Sequence, residues 1–153
     1  MCDLDIMVYS LKFDTSTGDW DFSDRRGRVV TGVEKLRQML AMWVSETKNV
    51  DRFHQGYGSD LNNMIGMPHT RHMQQRIENE IRTVCDRYIE YINQDFTRNP
   101  THYSRDEIPL QILTIQSWWE GGESSFGAWG DAIHVTVYVK TMTGSVEDLE
   151  VTI

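Results

Sequence analysis

Helical and alternating apolar patterns occupy separate stretches of this chain, and that separation limits the folds open to it. Val33, Leu36, Leu40, Trp43 and Val44 recur at helical spacing, and so do Ile77, Ile81, Val84, Cys85, Tyr88, Ile92 and Phe96. Toward the carboxyl end the period changes to two. Ile133, Val135, Val137 and Val139 face one way, while His134, Thr136, Tyr138 and Lys140 face the other. Leu149, Val151 and Ile153 repeat the alternation. Helices grouped apart from strands argue an α+β fold with an antiparallel sheet.

The chain has 153 residues, which predicts a single domain over 1–153. Residues 4–22 read as an N-terminal hairpin, with Leu11, Phe13, Trp20 and Phe22 apolar and Asp14–Asp19 turning the chain. Thr31-Gly-Val-Glu34 has the spacing of a capping box and opens a helix expected to end near Glu46. Asp51 to Gly58 is an irregular linker in which Gly56 and Gly58 flank Tyr57. Ser59 is placed to cap a short helix through Ile65, closed by Gly66. The second main helix is expected over about Thr70 to Phe96. Leu110 to Trp119, Ala132 to Lys140 and the segment ending at Ile153 complete a C-terminal antiparallel three-stranded sheet.

Composition excludes several function classes. The formal charge is -8, from 15 basic and 23 acidic side chains. Nonspecific nucleic-acid binding works by neutralising phosphates and needs the opposite sign. No run approaches the ~20 apolar residues of a membrane span, and the acidic start lacks the form of a signal peptide. The expectation is a chain folded in a cytoplasm, without nucleic-acid or membrane partners. Cys2 and Cys85 are the only cysteines and are expected to stay reduced.

The chemical motifs are sparse. His69-x-x-His72 is the nearest approach to a metal pair, but the spacing is i, i+3 and no third ligand is evident. Both are expected as surface histidines near a helix start. His54 lacks a nucleophile to activate. Glu120 beside Trp118 and Trp119 is the best single candidate for a sugar-cleaving acid, with Glu78, Glu80, Glu90 and Glu123 as other acids. Trp118, Trp119, Phe126 and Trp129 surround a glycine-rich loop, and read either as a long hairpin loop or as a docking finger. Arg25, Arg26 and Arg28 are a basic cluster in a polar connector. No cofactor motif is present, and no catalytic or metal residue is assigned.

The order of these segments resembles the lysozyme-related baseplate wedge and sheath-initiator family of contractile phage tails. The resemblance rests on Gly18-Asp19 in the hairpin, Gln38 in the first helix, Phe53 to Gly58, Leu61 to Gly66, the long helix and the terminal sheet. The family often carries a Glu-Pro-Arg triplet before its first sheet strand. Here Arg105-Asp-Glu-Ile-Pro109 stands in its place, with Glu107 and Pro109 in similar positions. The resemblance implies a structural virion protein, not an enzyme. It would nucleate the tail sheath and link sheath to baseplate wedge and tail tube or hub, as a ring of copies. Glu107 and Pro109 would contact the wedge. The strands carrying Ile133, Val135, Val137, Val139, Leu149, Val151 and Ile153 would meet arms of the sheath protein by strand addition. A cell-wall hydrolase using Glu120 and another tail-completion or adaptor protein are the alternatives.

Overall fold

The computed structural model describes residues 10–11, 13–14, 19–20, 29–120 and 132–153. It is α+β, with two long helices and a three-stranded antiparallel sheet. Four two-residue strands come first: β1 (Ser10–Leu11), β2 (Phe13–Asp14), β3 (Asp19–Trp20) and β4 (Val29–Val30). β2 pairs with β3 and β1 with β4. The rest of the expected hairpin, and Arg25, Arg26, Arg28 and Cys2, lie outside the described residues.

Helix α1 runs Gly32–Ser45 and buries Leu36, Leu40, Ala41, Trp43 and Val44. Its start differs from the expected capping box. The Thr31 side chain makes no cap bond. The Gly32 N–H is taken instead by Glu107 Oε1 at 3.1 Å, from the far end of α2 and its connector. Gly32 sits at φ +63, and an added Cβ would lie 2.6 Å from Asp106 Oδ2. A long-range carboxylate thus serves the first N–H of α1.

The segment after α1 is tied at its base. Thr47 and Ser59 form a parallel bridge, with Ser59 N–H bonding Glu46 O and Lys48 N–H bonding Ser59 O. Gly58 has φ +96, and a Cβ there would lie 2.8 Å from backbone of Glu46, Thr47 and Lys48. Only glycine lets the two strands of this neck approach so closely. Arg87 then bonds the Gly56 and Gly58 carbonyls at 2.9 and 3.0 Å. The short helix is a 3-10 turn, Leu61–Asn63, tighter than the one expected through Ile65. Ser59 Oγ does accept the Leu61 N–H, and also donates to Val44 O. Gly66 takes φ +82.

Helix α2 spans Arg71–Arg98 and buries Met73, Ile77, Ile81, Val84, Cys85, Tyr88 and Ile92. Thr70 Oγ1 caps it by accepting from Met73 N–H. Two 3-10 turns lead to β5 (Pro109–Trp119), followed by β6 (Ile133–Thr141) and β7 (Val146–Thr152). The sheet order is β5-β6-β7. Ile133, Val135, Val137 and Val139 fill the core against α1 and α2 with Leu149 and Val151. Thr143-Gly144 turns β6 into β7, with Gly144 at φ +86. Among the described residues no helix is long and apolar enough to cross a membrane.

Candidate functional site

The three-stranded sheet leaves two outer borders, and they are built differently. β6 is central and paired on both sides, so it offers no border. The side chains of Ile133, Val135, Val137, Val139, Leu149 and Val151 are buried, and Ile153 is half-buried. They hold the sheet to the helices. Any contact through these strands is left to backbone and to the outer face.

β5 is an irregular border. Its register with β6 shifts between Pro109 and Gln111 and again between Ile112 and Thr114. These bulges place Leu110 and Leu113 out of the ladder. Helix α2 also reaches across its outer side. Gln74 Nε2 donates to Ser117 O at 2.9 Å and Asn93 Nδ2 to Pro109 O at 3.3 Å. Ser117 Oγ donates to Glu78 Oε1. Bulges and occupied carbonyls are what protect an edge from pairing.

β7 is regular. Ile133 and Ile153 exchange both backbone hydrogen bonds at 3.0 Å. Antiparallel pairs alternate between bonded and non-bonded. Leu149 and Val151 therefore bond Val137 and Val135, and the residues between them turn outward. Val146, Asp148, Glu150 and Thr152 aim N–H and C=O away from β6. One of these groups is occupied: Arg37 Nε donates to Asp148 O at 2.8 Å. The same guanidinium lies 3.1 Å from Asp148 Oδ1 and 3.3 Å from Glu147 Oε2. Glu150 and Thr152 keep both outward groups without a partner among the described residues.

An apolar trough lies beside this open stretch. A cavity of about 180 Å³ is lined by Val44, Ser45, Leu61, Asn62, Ile65 and residues 151–153. A second, of about 370 Å³, shares Leu61, Ile65 and Ile153 with it and continues to Met64, Met67, His69 and Trp119. Ile65 is 63% exposed and Met67 39%, an unusual display of apolar side chains beside this border. At the far end His69 stacks on Trp119, with ring centroids 3.8 Å apart and planes 14° from parallel. Among the described residues, His69 Nδ1 and Trp119 Nε1 are buried without a hydrogen-bond partner.

The other sequence candidates fall as follows. His69 is buried at the end of the trough and not on the surface as expected, because its ring covers Trp119; His72 is exposed on α2. Glu107 is buried and its carboxylate is bound within the chain by Lys35, Gly32 and Ser104. Pro109 is buried at the start of β5. Trp118 and Trp119 belong to β5 and point to opposite faces. Trp118 is 45% exposed and stacks on His134 at 5.5 Å. Phe126, Trp129 and Glu123 lie outside the described residues. Glu120 is exposed at the end of β5. Among the described residues no group of three or more His, Cys, Asp or Glu is placed to hold a metal ion. Sequence reading missed the trough and Arg37; exposed Ile65 and Met67 beside a turn were the available signal for the first.

Compared with known proteins, the chain matches no family profile, no curated protein and no solved structure.

Proposed function

We propose that this chain is a structural component of a contractile phage tail baseplate, where it nucleates sheath assembly by accepting a strand of the sheath protein along β7. On this reading it links sheath to wedge and tube, works as a ring of copies in the virion, and needs no cofactor. The amino-terminal hairpin and the three-stranded sheet both belong to the segment order that suggested it.

The observation that supports strand addition is the border of β7. Glu150 and Thr152 carry outward backbone groups that are unpaired among the described residues, next to an apolar trough. An added strand would bond those groups and drop alternate side chains into the trough, beside Val151 and Ile153. Arg37 marks where the open stretch begins, since it already holds Asp148 O.

A Glu150→Pro variant tests this. The Glu150 N–H points away from β6, so proline there leaves the internal ladder whole and removes a donor for the guest, together with a carboxylate 3.8 Å from His134 Nδ1. The variant is expected to keep its circular dichroism, to lose about 1 kcal/mol of stability or less, to join wedge and tube components, and to fail to recruit sheath subunits in a reconstituted tail. Sheath growth at the wild-type level on this variant refutes the proposal.

A further inference from the structure

A second hollow, of about 430 Å³, opens between α1, the 51–58 loop and α2, and none of its lining residues belongs to the trough. Its walls are aromatic. Trp43 stands between Tyr57, at 5.0 Å between ring centroids and 78° between planes, and Tyr91, at 5.6 Å and 42°. Met39 completes the apolar lining. Tyr91 is 44% exposed, so the hollow is reached from solvent.

Asp51 and its neighbour His54 enter this aromatic wall. Asp51 Oδ1 accepts the Phe53 N–H at 2.8 Å, and Oδ2 lies 3.0 Å from His54 Nδ1. These bonds, the Phe53 amide first, hold the carboxyl below its usual range. A carboxylate has more acceptor sites than those two contacts use. Arg87 does not fill the hollow, for its guanidinium is spent on the Gly56 and Gly58 carbonyls.

Ring faces carry negative potential and attract a cation within about 6 Å of the centroid. Asp51 adds a full negative charge at the same place. An anion is repelled by both, and by a chain of net charge -8. A neutral apolar group gains from the rings but nothing from Asp51. We infer that this hollow binds the cationic side chain of a basic protein partner, with its ammonium or guanidinium against Trp43, Tyr57 and Tyr91 and paired to Asp51. Strand addition at β7 is a separate matter, and either site stands without the other.

The probes are N-acetyl-lysinamide, N-acetyl-argininamide and, as a neutral analogue of the first without its ammonium, N-acetyl-norleucinamide. They are titrated into the intact protein while the Trp43 indole N–H signal is followed by NMR, assigned with Trp43→Phe. Saturable shifts are expected with both cationic probes, and binding of norleucinamide weaker by about tenfold. Asp51→Asn and Tyr91→Leu are each expected to weaken the cations by about five- to tenfold at unchanged melting temperature. Equal binding of the norleucine probe, no saturable shift, or wild-type affinity in both variants overturns the inference. Choline binding more tightly than both amino-acid cations overturns it too, by making the hollow a small-molecule site. The comparison with norleucinamide needs no variant, so misfolding cannot obscure it.

Discussion

Lys35 and Glu107 form a buried ion pair across 72 residues of sequence, with Nζ 2.8 Å from Oε2 and side chains only 9% and 5% exposed. Glu107 Oε1 also accepts from Gly32 N–H and Ser104 Oγ, so one carboxylate fastens the start of α1 to the entry of β5. Removing one partner of such a pair strands a buried charge, at about 3–5 kcal/mol. Lys35→Met should therefore lose about that much in urea unfolding. Lys35→Met/Glu107→Gln should recover at least half of it, since glutamine keeps an acceptor for Gly32 and buries no net charge. A double variant no more stable than Lys35→Met would show that the pair is not the source of the loss.

The two glycines around Tyr57 should respond in opposite ways. Gly58 is held at φ +96 with neighbouring backbone 2.8 Å from any added Cβ, whereas a Cβ on Gly56 meets nothing within 4 Å. Backbone strain of this kind costs about 1–3 kcal/mol before the contact with rigid backbone is counted. Gly58→Ala is expected to lower the melting temperature sharply. Gly56→Ala should stay within about 0.5 kcal/mol of wild type.

Adjacent prolines in β7 should separate internal from outward bonding. Leu149 N–H serves the ladder to Val137, and its side chain is buried in the core. Leu149→Pro is expected to cost at least about 3 kcal/mol. Glu150→Pro, one residue on, should cost about 1 kcal/mol or less, because its N–H bonds nothing among the described residues. Equal losses in thermal melts would mean that the phase of the ladder is reversed.

Alkali should unfold the protein earlier than ordinary titration would suggest. Burial pushes the Cys85 thiol from 9.0 up to about 12 and, with Glu46 and Asp51 adding to it, the Tyr57 phenol from 10.0 up to about 12. Burial also raises Tyr88 and Tyr103, the second with help from its bond to Asp95. These groups hold their protons longer folded than unfolded. Their contribution is therefore whole below pH 9 and drains away as pH climbs from 9 toward 12. Urea midpoints taken between pH 8 and 11 should fall continuously above 9, each group steepening the slope by up to about 1.4 kcal/mol per pH unit.

What could be read ahead of the structure follows from how local each cause is. The stripe from Ile77 to Ile92 and the alternation from Ile133 to Val139 are patterns of burial along one element, and both proved to face the core. The start of α1 was legible but its cap was not, because Thr31 makes no side-chain cap bond and the acceptor for the Gly32 N–H comes from Glu107, far along the chain. A charged residue between Asp106 and Ile108 gives no sign in sequence that it will be buried by a lysine on another helix. Deleting Glu147 to Ile153, a natural first test of the strand, would remove Leu149 and Val151 from the core and so measure folding instead. Which sheet border is open was equally hidden. That depends on bulges at Leu110 and Leu113 and on Gln74 reaching Ser117, all products of packing.

Those bulges have a consequence for stoichiometry. A ribbon with two joinable margins can be chained without end, each newcomer exposing a fresh margin for the next molecule of its own kind. Here one margin is crooked and partly held by α2, so if β7 accepts a strand as proposed, the expected ratio is one guest to each copy.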